Sequence, residues 1–407
     1  MSEPLPSART ERRETSSVVI VGAGPAGLTL GNLLRDAGVP CVVLEAESRG
    51  FIEERPRAGF VEEWAVRGLE RHGLAGPLLE RAETQRESEF RMDGLRHVFR
   101  YGELSGARHF VYPQQWLVTD LVRRYADEAE GDIRFGVRDV RLHGLETSAP
   151  SVSYEDPESG ERRRVDCDFV AGCDGARGVS RKAIPPERIS VARHDLGVGW
   201  LALLAEAPPS AERVVFGLHR DGMAAHMARS PQVTRYYLEC GRDDTPEDWP
   251  HERVWAELRK RLDAKDALPL TEGPLIEKRV LGMHNYVVEP LSYGRLHLAG
   301  EAGHLLAPIA AKGMNLALHN AMLLGEALTA HYEHGDDTGL AGYSDACLRR
   351  VWQYQEFTEW LSALLHGPSS GDPYRAGLAR ARLRRMTGSE AAGVSAAGLY
   401  IGSDAEH

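Results

Sequence analysis

Cysteine is scarce in this 407-residue chain: Cys41, Cys167, Cys173, Cys240 and Cys347 are the only five. They are too few and too scattered for a disulfide framework or a zinc site, so no metal is expected and a reducing cytoplasm is the expected compartment. Aromatic residues make up only 7%. Basic residues are in deficit, 49 against 60 acidic, for a net charge of -11 with histidine neutral. That balance favours solubility and argues against nucleic acid as a partner. No apolar run approaches the ~20 residues that span a bilayer, so no membrane is expected. The first 17 residues are polar and charged, without the apolar centre of a signal peptide, and read as a frayed leader. What remains is an ordinary globular composition, 42% hydrophobic and 27% charged, in a chain long enough for two or three packed units.

Order is expected from Ser17. The apolar run from Val18 to Val21 leads into a glycine turn, then a helical stretch with Leu28, Leu30, Leu33 and Leu34. Gly38 stops that helix before a second apolar run, Cys41 to Leu44, which reads as β-α-β. Residues 162–172 read as one buried strand ending in glycine. Between 191 and 240, short alternating runs separated by turn residues predict antiparallel sheet. A charged helix is expected over 252–264, a strand over 295–299, and helices to 328 and over 343–366. Tyr354, Phe357, Leu361, Leu364 and Leu365 mark one buried helix face. His226 alternates away from Met227 and Arg229 and is expected to be scaffold. His331 and His334 are expected in a solvated loop and Cys173 as a small packed residue.

Two motifs carry chemistry. In Gly22-Ala23-Gly24-Pro25-Ala26-Gly27, Gly22 permits a tight turn and Gly24 lets the backbone approach a pyrophosphate. Gly27 allows helix and strand to pack closely, and the helix N-terminus offers free N–H groups to phosphate. Glu45, closing the next strand, is placed to accept from an adenosine ribose. The second motif runs from Leu296 through Gly300-Glu301-Ala302-Gly303-His304 to Pro308 and Ala311-Lys312-Gly313-Met314-Asn315. A strand delivers the acid Glu301 towards ribityl hydroxyls, and the turn at Gly313 starts a helix that can face a flavin pyrimidine edge. A helix N-terminus there stabilises the negative charge of reduced flavin. Ala26, Lys312, Gly313, Met314 and Asn315 are therefore candidate cofactor contacts beside the glycines.

With these motifs in place, the chain resembles the para-hydroxybenzoate hydroxylase branch of the single-component FAD-dependent aromatic monooxygenases. The likeness runs from Val18 to the C-terminus. It includes Arg55-Pro56-Arg57-Ala58-Gly59, Gly172-Cys173-Asp174-Gly175, Gly199-Trp200-Leu201, Arg235-Tyr236-Tyr237, Tyr343-Ser344 and Gly388-Ser389-Glu390-Ala391. The resemblance implies an α/β fold: a discontinuous Rossmann-like FAD domain (17–80, 108–190, 282–340), a sheet-rich substrate domain (81–107, 191–281) and a helical C-terminal region (341–407). It implies that NADH or NADPH reduces FAD and that O2 adds to give a flavin C4a-hydroperoxide. One oxygen is then transferred to an electron-rich aromatic ring. It assigns Arg55, Arg57, Gln114, Asp174 and Arg235 to the cofactor and Arg229, Phe216, Met227 and Tyr237 to the substrate. It places the Pro308 carbonyl against the substrate ring and the Tyr400 hydroxyl in a proton network. An assembly of two or more copies is expected.

The departures from the family pattern bear on the substrate. Phe216 stands where a tyrosine meets the substrate phenol, Met227 where a serine binds its carboxylate, and Glu301 where an aspartate is usual. A thioether cannot donate to a carboxylate, and phenylalanine cannot pass a proton. The expected substrate is a substituted phenol or pyridinol; the alternative is 4-hydroxybenzoate itself. Rival readings are a reductase or dehydrogenase on the same fold and a silent FAD-binding protein. Glu47, Arg49, Glu53, Glu54 and Arg55 face the expected nicotinamide nucleotide, and this acid-rich set favours tolerance of NADH.

Overall fold

The computed structural model describes residues 12–56 and 59–402. The buried run Val18–Val21 lies at the centre of a six-stranded sheet. It pairs in parallel with Cys41–Glu45 on one side and Phe169–Gly172 on the other. Leu296–Leu298 and Asp132–Phe135 extend the sheet, also in parallel, and Ser292–Tyr293 closes one edge. Helix Pro25–Asp36 packs beside the long helix Lys312–His334 through small residues: a Cβ on Gly325 would come within 2.8 Å of the Leu33 side chain. Parallel strands buried on both faces read as continuous apolar runs, which is why Val-Val-Ile-Val needs no alternation.

The second unit is an eight-stranded sheet built on Ser190–Ala205, Val233–Cys240, Gly222–Ser230 and Val214–His219. Leu275–Glu289 and His304–Leu305 extend it at one end, Ser88–Met92 and Leu95–Phe99 at the other. Pairing is antiparallel except where Val214–His219 runs parallel to Ser88–Met92. Alternation sorts the side chains onto two faces. Phe90, Phe216, Ala225 and Tyr237 face a core shared with the C-terminal helices Thr338–Leu365, Pro373–Gly388 and Glu390–Ile401. Val215, Ala224, Tyr236 and Leu238 face helix His251–Arg261 instead.

Two readings of local structure need correction. The run 162–172 is two strands in different sheets, Arg162–Asp166 and Phe169–Gly172. The arginine-rich first strand pairs with Arg12–Thr15 and Ser151–Glu155, and the chain then crosses over where the N–H groups of Asp168 and Phe169 donate to the Ser17 carbonyl. His331 and His334 sit on the last turn of Lys312–His334 rather than in a loop, with His331 Nδ1 2.5 Å from Asp337 Oδ1. No cluster of three or more metal-ligating side chains occurs among the described residues. No helix among them is long and apolar enough to cross a membrane.

Candidate active site

The loops at the carboxyl ends of the parallel strands enclose a cleft of about 680 Å3. This is where open α/β sheets bind nucleotides. Gly22, at φ +105°, could not carry a side chain, because a Cβ there would lie 2.4 Å from the Cys173 carbonyl oxygen. At Gly24 the same test meets nothing within 4 Å, leaving open room at the helix start. Helix Pro25–Asp36 has no side-chain cap on its N-terminus, and neither has Lys312–His334, which begins at Ala311 in the left-handed region. Both uncapped starts border the one cleft, through Gly24 and Ala26 on one side and Gly313 and Met314 on the other. Two positive helix ends facing one elongated space fit a dinucleotide carrying both a pyrophosphate and an electron-accepting ring.

Glu45, Arg55, Gln114, Asp174 and Glu301 also line this cleft. Glu45 Oε2 accepts from Ala23 N–H at 2.7 Å and Oε1 from Glu47 N–H at 2.8 Å, which holds the glycine turn against the second strand. Asp174 Oδ2 accepts from the N–H groups of Val179 and Ser180 at 2.6 and 2.8 Å. Its Oδ1 is buried without a hydrogen-bond partner among the described residues, and burial raises the carboxyl's pKa. An orphaned buried acceptor on the cleft wall is an open position for a ligand hydroxyl.

Four of the expected cofactor contacts lie elsewhere. Gly27 does not line the cleft; it faces the strand turn, where a Cβ would meet the Gly22 carbonyl oxygen at 1.9 Å. Lys312 and Asn315 turn away because successive helical residues are rotated by about 100°, so Gly313, Met314 and Ala317 share one face and 312 and 315 another. Lys312 Nζ is buried against Glu62 Oε1 and donates to the Tyr400 carbonyl at 2.7 Å; burial lowers its pKa despite the carboxylate. Asn315 Oδ1 accepts from Glu62 N–H at 2.9 Å and its amide donates to the Phe60 carbonyl. Arg235 belongs to the eight-stranded sheet, where its Nη2 pairs with Glu277 at 2.9 Å. Arg57 lies outside the described residues.

The expected substrate residues do converge on one face of the eight-stranded sheet. Phe216 is 1% exposed and stacks on Phe90 with centroids 5.4 Å apart. Met227, Arg229 and Tyr237 follow on neighbouring strands, Tyr237 opposite Ala225 and Arg235 opposite Met227. Arg229 is half-buried, its Nη1 has no hydrogen-bond partner among the described residues, and burial lowers its pKa. Tyr400 packs among Tyr101, His109, Phe99 and Phe357, and its hydroxyl lies 3.0 Å from Ser88 Oγ. Burial pushes its pKa up to about 12, so the hydroxyl keeps its proton at neutral pH. The segment 307–311, which contains Pro308, packs Ala307, Ile309 and Ala310 into this core and then enters the helix that borders the cleft. This short segment thereby joins the face that carries the expected substrate residues to the cofactor cleft.

Sequence reasoning missed the residues that lock this arrangement. Glu62 receives Lys312, Trp64 Nε1 at 2.5 Å and the Tyr354 hydroxyl. Glu239 accepts from His366 at 2.7 Å and Ser369 at 2.8 Å, and the far nitrogen of His366 takes Trp200 Nε1–H at 3.2 Å. Apart from Trp64, two residues from Glu62, these partners are more than a hundred residues apart, and no local pattern announces them.

A family model described as an FAD binding domain matches residues 15–358. The chain is 35% identical over 389 residues, 95% of either chain, to p-hydroxybenzoate hydroxylase of Acinetobacter baylyi. It is 27% identical over 321 residues to a 3-(3-hydroxy-phenyl)propionate/3-hydroxycinnamic acid hydroxylase of Mycolicibacterium gilvum, covering 77% of this chain and 53% of that one. Among solved structures, p-nitrophenol 4-monooxygenase from Pseudomonas putida superposes with a TM-score of 0.81 at 21% identity, over 95% of this chain and 99% of that one. An anhydrotetracycline hydroxylase from Streptomyces rimosus gives 0.74 at 23% identity, over 96% and 76%. At those identities the structural likeness speaks for the fold alone.

Proposed function

We propose that this chain, which belongs to the family of FAD-dependent aromatic hydroxylases, hydroxylates a substituted phenol or pyridinol, with a nicotinamide nucleotide and O2 as co-substrates. The observation that carries the substrate class is the Phe216–Phe90 stack beside Met227: apolar, adaptable surface where a carboxylate and a phenol would need donors. When bound, FAD supplies the redox chemistry, being reduced by the nicotinamide nucleotide and activating O2 for insertion of one oxygen atom. The protein's part is to bind, orient and keep water out. Gly22, Gly24, Ala26, Glu45, Arg55, Gln114, Asp174, Glu301, Gly313 and Met314 would hold the cofactor in the cleft. The buried aromatic packing around Tyr400 excludes water from the ring's side, and an activated oxygen species survives only in a dry site. Tyr400 and Ser88 hold one another's hydroxyls in the same core as Phe216, so this pair can carry a proton that phenylalanine cannot.

The experiment is mass spectrometry of products from a panel of phenols, aminobenzoates and pyridinols incubated with holoenzyme and reduced nucleotide. Oxygen uptake without any ring product across the panel would favour the reductase reading. A second reading, 4-hydroxybenzoate itself, draws support from the unpartnered Nη1 of Arg229, a donor shaped for a carboxylate. NADH is the proposed reductant. Arg49 is committed to Asp127 by bonds of 2.7 and 2.6 Å and to Glu53 at 2.9 Å, so the cleft lining offers a 2′-phosphate Arg55 and Arg177 against the acids Glu45, Glu47 and Glu301. A kcat/KM ratio strongly favouring NADPH would overturn that choice. Assembly into two or more copies is proposed with it, and sedimentation of the holoenzyme tests it.

A further inference from the structure

Behind the substrate face lies a second cavity, of about 620 Å3. Its floor is made by Val215 and His226, which are register partners on adjacent strands. Phe216 and Ala225, their neighbours along the chain, point the opposite way. Leu262, Leu268 and Leu270 form an apolar wall in the irregular segment after helix His251–Arg261, with Leu268 71% exposed at the mouth. Cations at the rim are already committed: Arg259 pairs with Glu272, and Lys260 with Asp221 at 2.7 Å. Asp263 is the acid of the lining.

The exception is Arg91, which is 7% exposed and lines the cavity. Its Nε donates to Glu89 Oε1 at 2.7 Å and its Nη1 to the Leu262 carbonyl at 2.5 Å. Its Nη2 has no hydrogen-bond partner among the described residues. Glu89 cannot neutralise it fully, because the same carboxylate accepts two bonds from Arg96, at 3.0 and 2.7 Å, and lies 3.8 Å from Arg213. Burial holds the pKa of His226 at about 4, so that ring is neutral and brings no compensating charge. A buried guanidinium with a donor left over, opening on a chamber with one apolar wall, is the complement of an anion with an apolar body.

We propose that this cavity is a second small-molecule site that takes an aromatic or apolar carboxylate, its oxygen on Arg91 Nη2 and its body against Val215, Leu262 and Leu270. The site is separate from the substrate face and does not depend on which ring is hydroxylated. Because it backs the strands that carry Phe216 and Met227, a ligand there bears on the substrate residues through one layer of backbone.

The probe is 2-naphthoate, titrated calorimetrically into the FAD-loaded full chain. Saturable binding is expected, weakened by about tenfold or more in Arg91→Met, the scale of a lost charged hydrogen bond. Leu270→Trp, which fills the chamber without touching the Glu89 network, is expected to weaken it likewise. Arg229→Met, on the other face, is expected to leave it unchanged. No saturable binding at millimolar ligand, binding indifferent to both cavity variants, or binding lost only in Arg229→Met would each overturn the proposal. A crystal soaked in 6-bromo-2-naphthoate decides independently of variant folding: an anomalous peak beside Arg91 supports the site, and a peak only on the substrate face refutes it.

Discussion

Lys312→Met removes half of an ion pair that lies wholly inside the protein, both side chains being 1% exposed. The ammonium is bound to Glu62 Oε1 and donates to the Tyr400 carbonyl at 2.7 Å. In the variant Glu62 keeps two donors, Trp64 Nε1 and the Tyr354 hydroxyl, but loses its countercharge. Truncating one partner of a buried pair costs about 3–5 kcal/mol, and the remaining donors place this case near about 3. The orphaned Tyr400 carbonyl adds about 1 kcal/mol. With a urea m-value on the order of 3 kcal/mol/M for a chain of this size, the midpoint should fall by about 1 M. Lys312→Met with Glu62→Gln removes both charges while the amide still accepts from Trp64 and Tyr354, so the pair together should lose less than Lys312→Met alone. The assay is urea unfolding of holoenzyme followed by tryptophan fluorescence at fixed FAD. A midpoint unchanged in Lys312→Met, or a double variant weaker than the single one, refutes the reasoning.

Gly24→Asp should abolish FAD binding by placing a carboxylate in the open space at the helix start, and an FAD absorbance ratio equal to the parent's would contradict it. Phe216→Tyr with Met227→Ser restores donors worth roughly 1.5–3 kcal/mol each, so 4-hydroxybenzoate should stimulate flavin reduction by about two orders of magnitude more than in the parent. Stopped-flow reduction checks this, and efficient turnover of 4-hydroxybenzoate by the parent would falsify the substrate proposal. Stability should fall with acid. Burial holds His226, His297 and His304 near about 4 and His109 near about 3, against 6.5 when unfolded. The unfolded chain therefore takes up protons the folded one refuses as pH drops from 6.5 towards 4. Each histidine costs up to about 1.4 kcal/mol per pH unit in that window, and nothing above it. Urea midpoints at pH 7.5, 6 and 5 test the slope; a flat series would show that these rings are accessible.

The cofactor cleft was legible because its determinants are local. Val18 to Glu45 specify strand, turn, helix and strand within one stretch, and the steric demand at Gly27 comes from the nearby Gly22 carbonyl, whereas that at Gly22 comes from the Cys173 carbonyl after the neighbouring strand Phe169–Gly172. Alternation was likewise enough to set Phe216, Met227 and Tyr237 on a common face, since a strand's period of two holds whatever it pairs with. Proximity in sequence failed where side-chain direction mattered. Lys312 stands next to Gly313, yet the helical turn sends its ammonium to Glu62, 250 residues away. The run 162–172 looked continuous because a strand's residues do not name their sheet; the hydrogen bonds to Ser17 decide where it breaks. Glu239 with His366, Ser88 with Tyr400 and the cavity at Arg91 follow the same logic. The sequence alone determined the nucleotide-binding turn and the faces of the strands, because those depend on neighbours along the chain. Only the tertiary structure decided which buried charge met which, because a desolvated group must find its partner in space and the chain's order does not say where.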